Sequence, residues 1–139
     1  MKKIFAGLGV AAMLLAGCSS SSSTSTDETT NYATVTTDSG EVTAGVTKTD
    51  GKVTGITIDE TSDGESKKDL GDDYGMKAAS GIGKEWDEQI EFLENYLLEN
   101  GIDSVKLDSD GYAESEDVLA GCTINLTNIM KAVDEAAEK

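Results

Sequence analysis

The seven residues Asp117-Val118-Leu119-Ala120-Gly121-Cys122-Thr123 bring a carboxylate, a thiol and a hydroxyl into one short stretch ahead of an amphipathic C-terminal segment. A hydroxyl can be linked to a phosphate only if it is exposed on a backbone that a bulky partner can approach. Gly121, two residues before Thr123, permits that approach because it carries no side chain. The amides of a helix beginning near Thr127 are suited to face the phosphate. Cys122 reads differently: with no cationic neighbour to hold a thiolate, it is a small hydrophobe for the core. A second set of oxygen donors, Asp108-Ser109-Asp110-Gly111 with Glu114, Glu116 and Asp117, invites comparison with a calcium loop. The spacing is wrong for an EF-hand, because glycine falls at the fourth position instead of the sixth and Leu119 occupies the twelfth, where a bidentate glutamate is required. Asp-x-Asp-Gly is the pattern of a hairpin turn, and no metal site is expected.

What the chain lacks narrows the chemistry further. It has no histidine and no arginine, which removes Ser-His-Asp and Cys-His catalysis, imidazole metal sites and guanidinium clamps for phosphate. No catalytic residue is assigned. With 11 lysines against 27 acidic residues the formal charge is −16, which excludes binding to nucleic acid or to an anionic lipid surface through a basic patch.

The elements that must position these residues are legible from periodicity. Val42, Ala44 and Val46 alternate with Thr43, Gly45 and Thr47, Asp50-Gly51 supplies a two-residue turn, and residues 53–58 return as a β-branched strand, so a hairpin with a type I′ turn is expected. Residues 32–37 have similar composition and suit a preceding strand. Residues 61–75, rich in Asp, Gly, Ser and Lys, read as a loop. Ile82, Trp86, Ile90, Leu93 and Leu97 fall on one face of a helix expected over 84–100, with Lys84, Glu85, Asp87, Glu88, Glu91 and Glu94 facing water and Gly101 as its stop. Another short strand is expected over 104–107. A last helix carries Ile129, Met130, Val133, Ala136 and Ala137 on its apolar stripe, with Thr127 or Asn128 as N-cap. The order predicts an α+β fold, a small antiparallel sheet with a long helix and a C-terminal helix packed on it.

At the N-terminus, Lys2 and Lys3 precede an apolar run over 4–16, shorter than the roughly 20 residues a membrane-spanning helix needs. The run ends in a small-residue cleavage site. Leu15-Ala16-Gly17-Cys18 resembles the lipobox of bacterial lipoproteins, in which the cysteine takes a diacylglyceryl group and a signal peptidase cuts just before it. The resemblance implies a signal peptide over 1–17 and a mature chain that begins at Cys18. That chain is held to the extracellular face of the cell membrane through lipid alone. Loss of Lys2 and Lys3 leaves nine lysines against 27 acids, a formal charge of −18. Residues 19–26 are serine and threonine only, so 18–30 is expected to be a flexible tether ahead of a single domain over 31–139. With Cys18 committed to lipid, Cys122 is the remaining thiol and no internal disulfide is possible.

The segment from Asp117 to Thr123 resembles the flavinylation motif of FMN-binding domains, Asp-x-x-Ser/Thr-Gly-Ala-Thr/Ser. In that family a separate flavin transferase links FMN to the last hydroxyl through a phosphoester. Asp117, Gly121 and Thr123 match; Ala120 stands where Ser or Thr is usual and Cys122 where Ala is usual. The Asp-Gly hairpin ahead of the motif and the closing helix after it also resemble the family's layout. The run from Leu70 to Lys77, with Ser80 to Trp86 after it, looks like a stretch found in lipoproteins of anaerobic Gram-positive bacteria that carry such domains. The resemblance implies covalent FMN on Thr123, with Asp117 and Gly121 as cofactor-binding residues and Tyr74, Trp86, Tyr96 and Tyr112 as candidate ring contacts. It implies an extracellular electron carrier whose chemistry belongs to the flavin, with redox partners at the cell surface, and no enzyme in its own right. The competing reading is a non-catalytic surface lipoprotein that binds a partner or small solute through residues 63–83. The lipoprotein reading predicts that Cys18→Ala abolishes lipid labelling and moves the protein out of the membrane fraction; an unprocessed protein retained in membranes at wild-type level would contradict it.

Overall fold

The computed structural model describes residues 26–139, so the expected signal peptide over 1–17, Cys18 and the tether up to residue 25 lie outside the described residues. Alternating small and β-branched residues build three long strands, β1 (Glu28–Thr37), β2 (Gly40–Thr49) and β3 (Lys52–Ser62). Asp50 and Gly51, with φ of 51° and 79°, form the expected type I′ turn between β2 and β3. The same dipeptide recurs at Asp63 and Gly64, also both at positive φ, and turns β3 into the two-residue β4 (Glu65–Ser66). The sheet is antiparallel in the order β1-β2-β3-β4.

Registered rows explain which face is buried. Ala33, Ala44 and Ile58 lie side by side, as do Val35 and Val42, and all are buried. On the other face threonine hydroxyls pair across strands, Thr30 with Thr47 at 2.8 Å and Thr34 with Thr43 at 3.0 Å. That pairing corrects one boundary. Glu28, Thr29 and Thr30, expected in the tether, belong to β1, because they pair with Thr49, Lys48 and Thr47 and threonine is a strand former once a partner strand is available.

The segment after β4 is more ordered than a loop. Ser66 caps the single turn α1 (Lys67–Leu70) by accepting from Asp69 N at 3.2 Å, and a 3-10 turn (Gly71–Tyr74) follows. Helix α2 (Trp86–Asn100) starts two residues later than expected; Ile82, placed on its apolar face by spacing, lies before it and is half-buried, and the buried stripe is Trp86, Gln89, Ile90, Leu93 and Leu97. Residues 104–107 do not form a strand of the sheet: a 3-10 turn spans Ile102–Ser104, and Leu107 makes only an isolated bridge to Ala113 across the turn at Asp108. The segment folds on its own return, leaving no pairing with the main sheet. After the short helix α3 (Glu116–Leu119), α4 (Thr127–Glu138) buries Ile129, Met130, Ala132, Val133 and Ala136. Neither Thr127 nor Asn128 caps it. The Asn125 side chain accepts from Thr127 N at 3.1 Å, two residues upstream of the expected position.

The fold is α+β as expected, with α2 packed over β3 and α4 over β1 and β2. Among the described residues no helix is long and apolar enough to cross a membrane. Trp86 is 1% exposed at the start of α2. Trp86→Ala is expected to lower stability by about 3–5 kcal/mol through the cavity it leaves, measured by chemical denaturation; an unchanged midpoint would place the ring outside the core.

Candidate functional site

The first turn of α2 gathers the site. Glu85, expected to face water, is buried, and its carboxylate accepts from Met76 N at 2.7 Å and Lys77 N at 2.9 Å. Glu88 accepts from Glu85 N at 2.8 Å, as in a capping box. These bonds fold residues 75–84 back over the helix start. One turn on, the side chain of Gln89 is fully buried. Its Nε2 donates to Lys84 O at 3.2 Å, and its Oε1 accepts from Thr123 N at 2.8 Å and from Thr123 Oγ1 at 3.3 Å. Thr123 Oγ1 also donates to Ser80 O at 3.0 Å, so the hydroxyl expected to stand free is half-buried and hydrogen-bonded.

Thr123, Trp86, Met76, Ser80, Lys67 and Glu60 share the wall of a pocket of about 430 Å³, which Tyr112, Ile124 and Asn125 also line. Lys67 is 9% exposed and bonds Glu60 Oε1 at 2.7 Å, with its Nζ 5.0 Å from the centroid of Tyr74 and 5.6 Å from that of Trp86. Burial alone lowers the pKa of this ammonium, but hydrogen bonds and charge from Glu60 and Tyr74 together raise it above the ordinary lysine value. Lys67 therefore stays protonated across the physiological range.

Of the expected cofactor residues, only Thr123 reaches this pocket. Asp117 is exposed in the single turn of α3, its amide donating to Ser115 Oγ at 3.2 Å. Gly121 is buried and does not line the pocket; an added Cβ there would lie 2.4 Å from ring atoms of Phe92, so close ring packing accounts for the glycine. The start of α4 gives its first amide to Asn125 and not to a phosphate. Among the candidate ring contacts Trp86 and Tyr112 line the pocket; Tyr96 packs on Phe92 with centroids 6.1 Å apart. The carboxylate of Asp108 accepts from Asp110 N and Tyr112 N, which makes Asp108 to Gly111 the hairpin turn its pattern suggested. Among the described residues no group of three or more His, Cys, Asp or Glu is arranged to hold a metal.

Sequence reasoning missed Gln89, Ser80 and Lys67. Gln89 stands three residues after Trp86 and four before Leu93, on the apolar face, and that placement was a usable signal of a buried polar group. Lys67 sits among mixed charges that gave none.

The pocket fits the FMN implied by the resemblance in two respects. Its volume lies in the usual range for small-molecule sites, and Met76, Trp86 and Ile124 offer apolar surface for a flat ring in the same wall as the Thr123 hydroxyl. It offers no free cation to a phosphate, since the wall's one lysine is already paired with Glu60. The group would be held by its link to Thr123 and by ring contacts.

No family model matches the chain. A segment of 33 residues is 58% identical to part of a chlorophenol reductase from Desulfitobacterium hafniense, covering 24% of this chain and 10% of that protein. The match thus spans about a tenth of that relative's length. A solution NMR structure of a protein from Clostridium thermocellum aligns with a TM-score of 0.54 at 22% identity, over 81% of this chain and 90% of that one. At that identity the likeness is one of fold.

Cys122 is fully buried, and burial pushes its thiol up to about 11. The native protein is therefore expected to resist alkylation at pH 8 and to react on unfolding. A raised folded-state value also means that the thiol's contribution to stability holds below pH 9 and is lost as the pH rises towards 11, which urea melts at stepped pH would register. Rapid labelling of the folded protein would overturn this.

Proposed function

We propose that the chain is a lipid-anchored extracellular lipoprotein whose domain carries FMN esterified to Thr123 and passes electrons at the cell surface. The observation that supports this most is the shared pocket wall, in which the Thr123 hydroxyl stands with Trp86 and Met76. Bound there, the flavin supplies the redox chemistry, and the chain, which lacks acid-base machinery, supplies position and surroundings. Gln89 Oε1 fixes the Thr123 backbone by accepting from its N–H, and the hydroxyl's bonds to Ser80 O and Gln89 Oε1 are the ones that esterification would replace. Covalent attachment also removes the need to hold a phosphate by charge in a mature chain that, without Lys2 and Lys3, has a formal charge of −18.

The partners on this reading are a flavin transferase and redox proteins outside the membrane, met in complexes that an acidic surface keeps steerable and transient. The short likeness to a protein named as a reductase is in keeping with a redox setting. A second reading, a non-catalytic lipoprotein binding a partner through residues 63–83, draws support from one observation: the Thr123 hydroxyl is already engaged by Ser80 O.

Mass spectrometry of the chain co-expressed with a flavin transferase separates the two. The peptide containing Thr123 is expected to carry an FMN adduct that Thr123→Val loses. An unmodified peptide from cells with an active transferase, with no flavin bound non-covalently, would favour the partner-binding reading.

A further inference from the structure

Lys67 is the one buried lysine among the described residues of a strongly acidic chain. Replacing an ion pair of this kind, with Lys67 buried and Glu60 half-buried, by well-packed apolar side chains of the same volume is often neutral or stabilising, so stability is a weak reason for a lysine at this position. Its setting is specific. Lys67 and Glu60 are both in the pocket wall, and the ammonium lies over the faces of Tyr74 and Trp86, the latter also in the wall. The two aromatic faces hold the cation independently of Glu60, because a ring face attracts a cation placed within about 6 Å of its centre.

A fixed charge in such a wall acts on any charge that develops in the pocket, and more strongly than it would in water. We propose that Lys67 sets the reduction potential of the flavin in this pocket by holding a positive charge beside it, opposed by Glu60. This rests on the FMN reading above. Reduction of the flavin by two electrons with uptake of one proton leaves the ring one unit more negative, the electrons coming from a low-potential donor at the cell surface. Lys67 favours that reduced form and Glu60 disfavours it, so the pair fixes the potential from two sides.

The test uses the full-length chain co-expressed with a flavin transferase, extracted in detergent and titrated anaerobically with dithionite against a reference dye. Lys67→Gln is expected to shift the midpoint potential to more negative values, Glu60→Gln to more positive values, and Lys67→Arg to leave it close to wild type. The opposite signs matter, because a merely structural disturbance has no reason to move the two neutralising variants apart. In the flavin-free protein the emission of Trp86, the only tryptophan, is expected to change in Lys67→Gln and to be preserved in Lys67→Arg. Should Lys67→Gln fail to fold, Glu60→Gln still carries the test. Flavin on Thr123 with potentials that do not move, or that move in the same direction, would overturn the role of Lys67 alone; a wild-type chain with no flavin would overturn the FMN reading and this inference with it.

Discussion

The side-chain amide of Gln89 has no access to water, so every one of its polar atoms must find a partner inside the protein. It does so across three chain segments: Nε2 reaches Lys84 O and lies 3.5 Å from Met76 Sδ, while Oε1 takes the amide of Thr123. An apolar residue of similar size would stabilise this position by about 1.5–3 kcal/mol through burial. Hydrogen bonds net only about 0.5–1.5 kcal/mol each, so the substitution of an amide is close to neutral only when all of its bonds form together. That requirement fixes where residues 75–84 and 122–124 sit relative to α2. Met76, Ala79, Ser80, Thr123 and Ile124 of these segments, with Trp86 of α2, line much of the pocket.

Carboxylates satisfy several backbone amides that have no backbone partner. Glu85 satisfies two amides of the segment it faces, and Glu94 accepts from Ile58 N at 2.7 Å while pairing with Lys68, tying β3 and α1 to the middle of α2. Both residues belong to the set that helical periodicity assigned to water. An acidic composition is usually read as a solvated surface, yet here Glu85 supplies partners that the irregular segment at Met76 and Lys77 does not have, and Glu94 satisfies an amide of β3.

This accounts for what was legible in the sequence. The Val42 to Ile58 hairpin was readable because alternation and an Asp-Gly turn are local signals with one cheap solution. The second Asp-Gly, at Asp63, carried the same signal and was obscured by the polar residues around it, whose order comes from side-chain bonds that alternation does not register, Ser66 capping α1 and Lys67 pairing back with Glu60 of β3. Helix α2 was readable to within two residues because its apolar spacing is strong. Its first turn was not, since Glu85 and Gln89 are buried by contacts with residues up to 34 positions away. Of the motif from Asp117 to Thr123, spacing identified the hydroxyl that reaches the pocket but not the reason for Gly121, which is the ring of Phe92.

The hydrogen bond from Thr123 to Ser80 links the proposed attachment to the segment above it. A threonine hydroxyl donates one proton, and here that proton goes to Ser80 O, with Gln89 Oε1 a longer second acceptor. Once esterified, the same oxygen has no proton to give. The amide of Thr123 still holds Gln89, so the helix side of the junction is unchanged, and the loss falls on the carbonyl of Ser80. An unpaired carbonyl costs about 1–3 kcal/mol if it stays buried, and much less if it turns to water. Ser80 sits between Gly75 and Gly81, both at positive φ, in a stretch whose Ala78, Ala79 and Gly81 are exposed. On the FMN reading the local response is therefore a reorientation of the Ser80 peptide towards solvent, with Glu85 still clasping Met76 and Lys77, so that the pocket widens at the hydroxyl while its Trp86 side stays fixed.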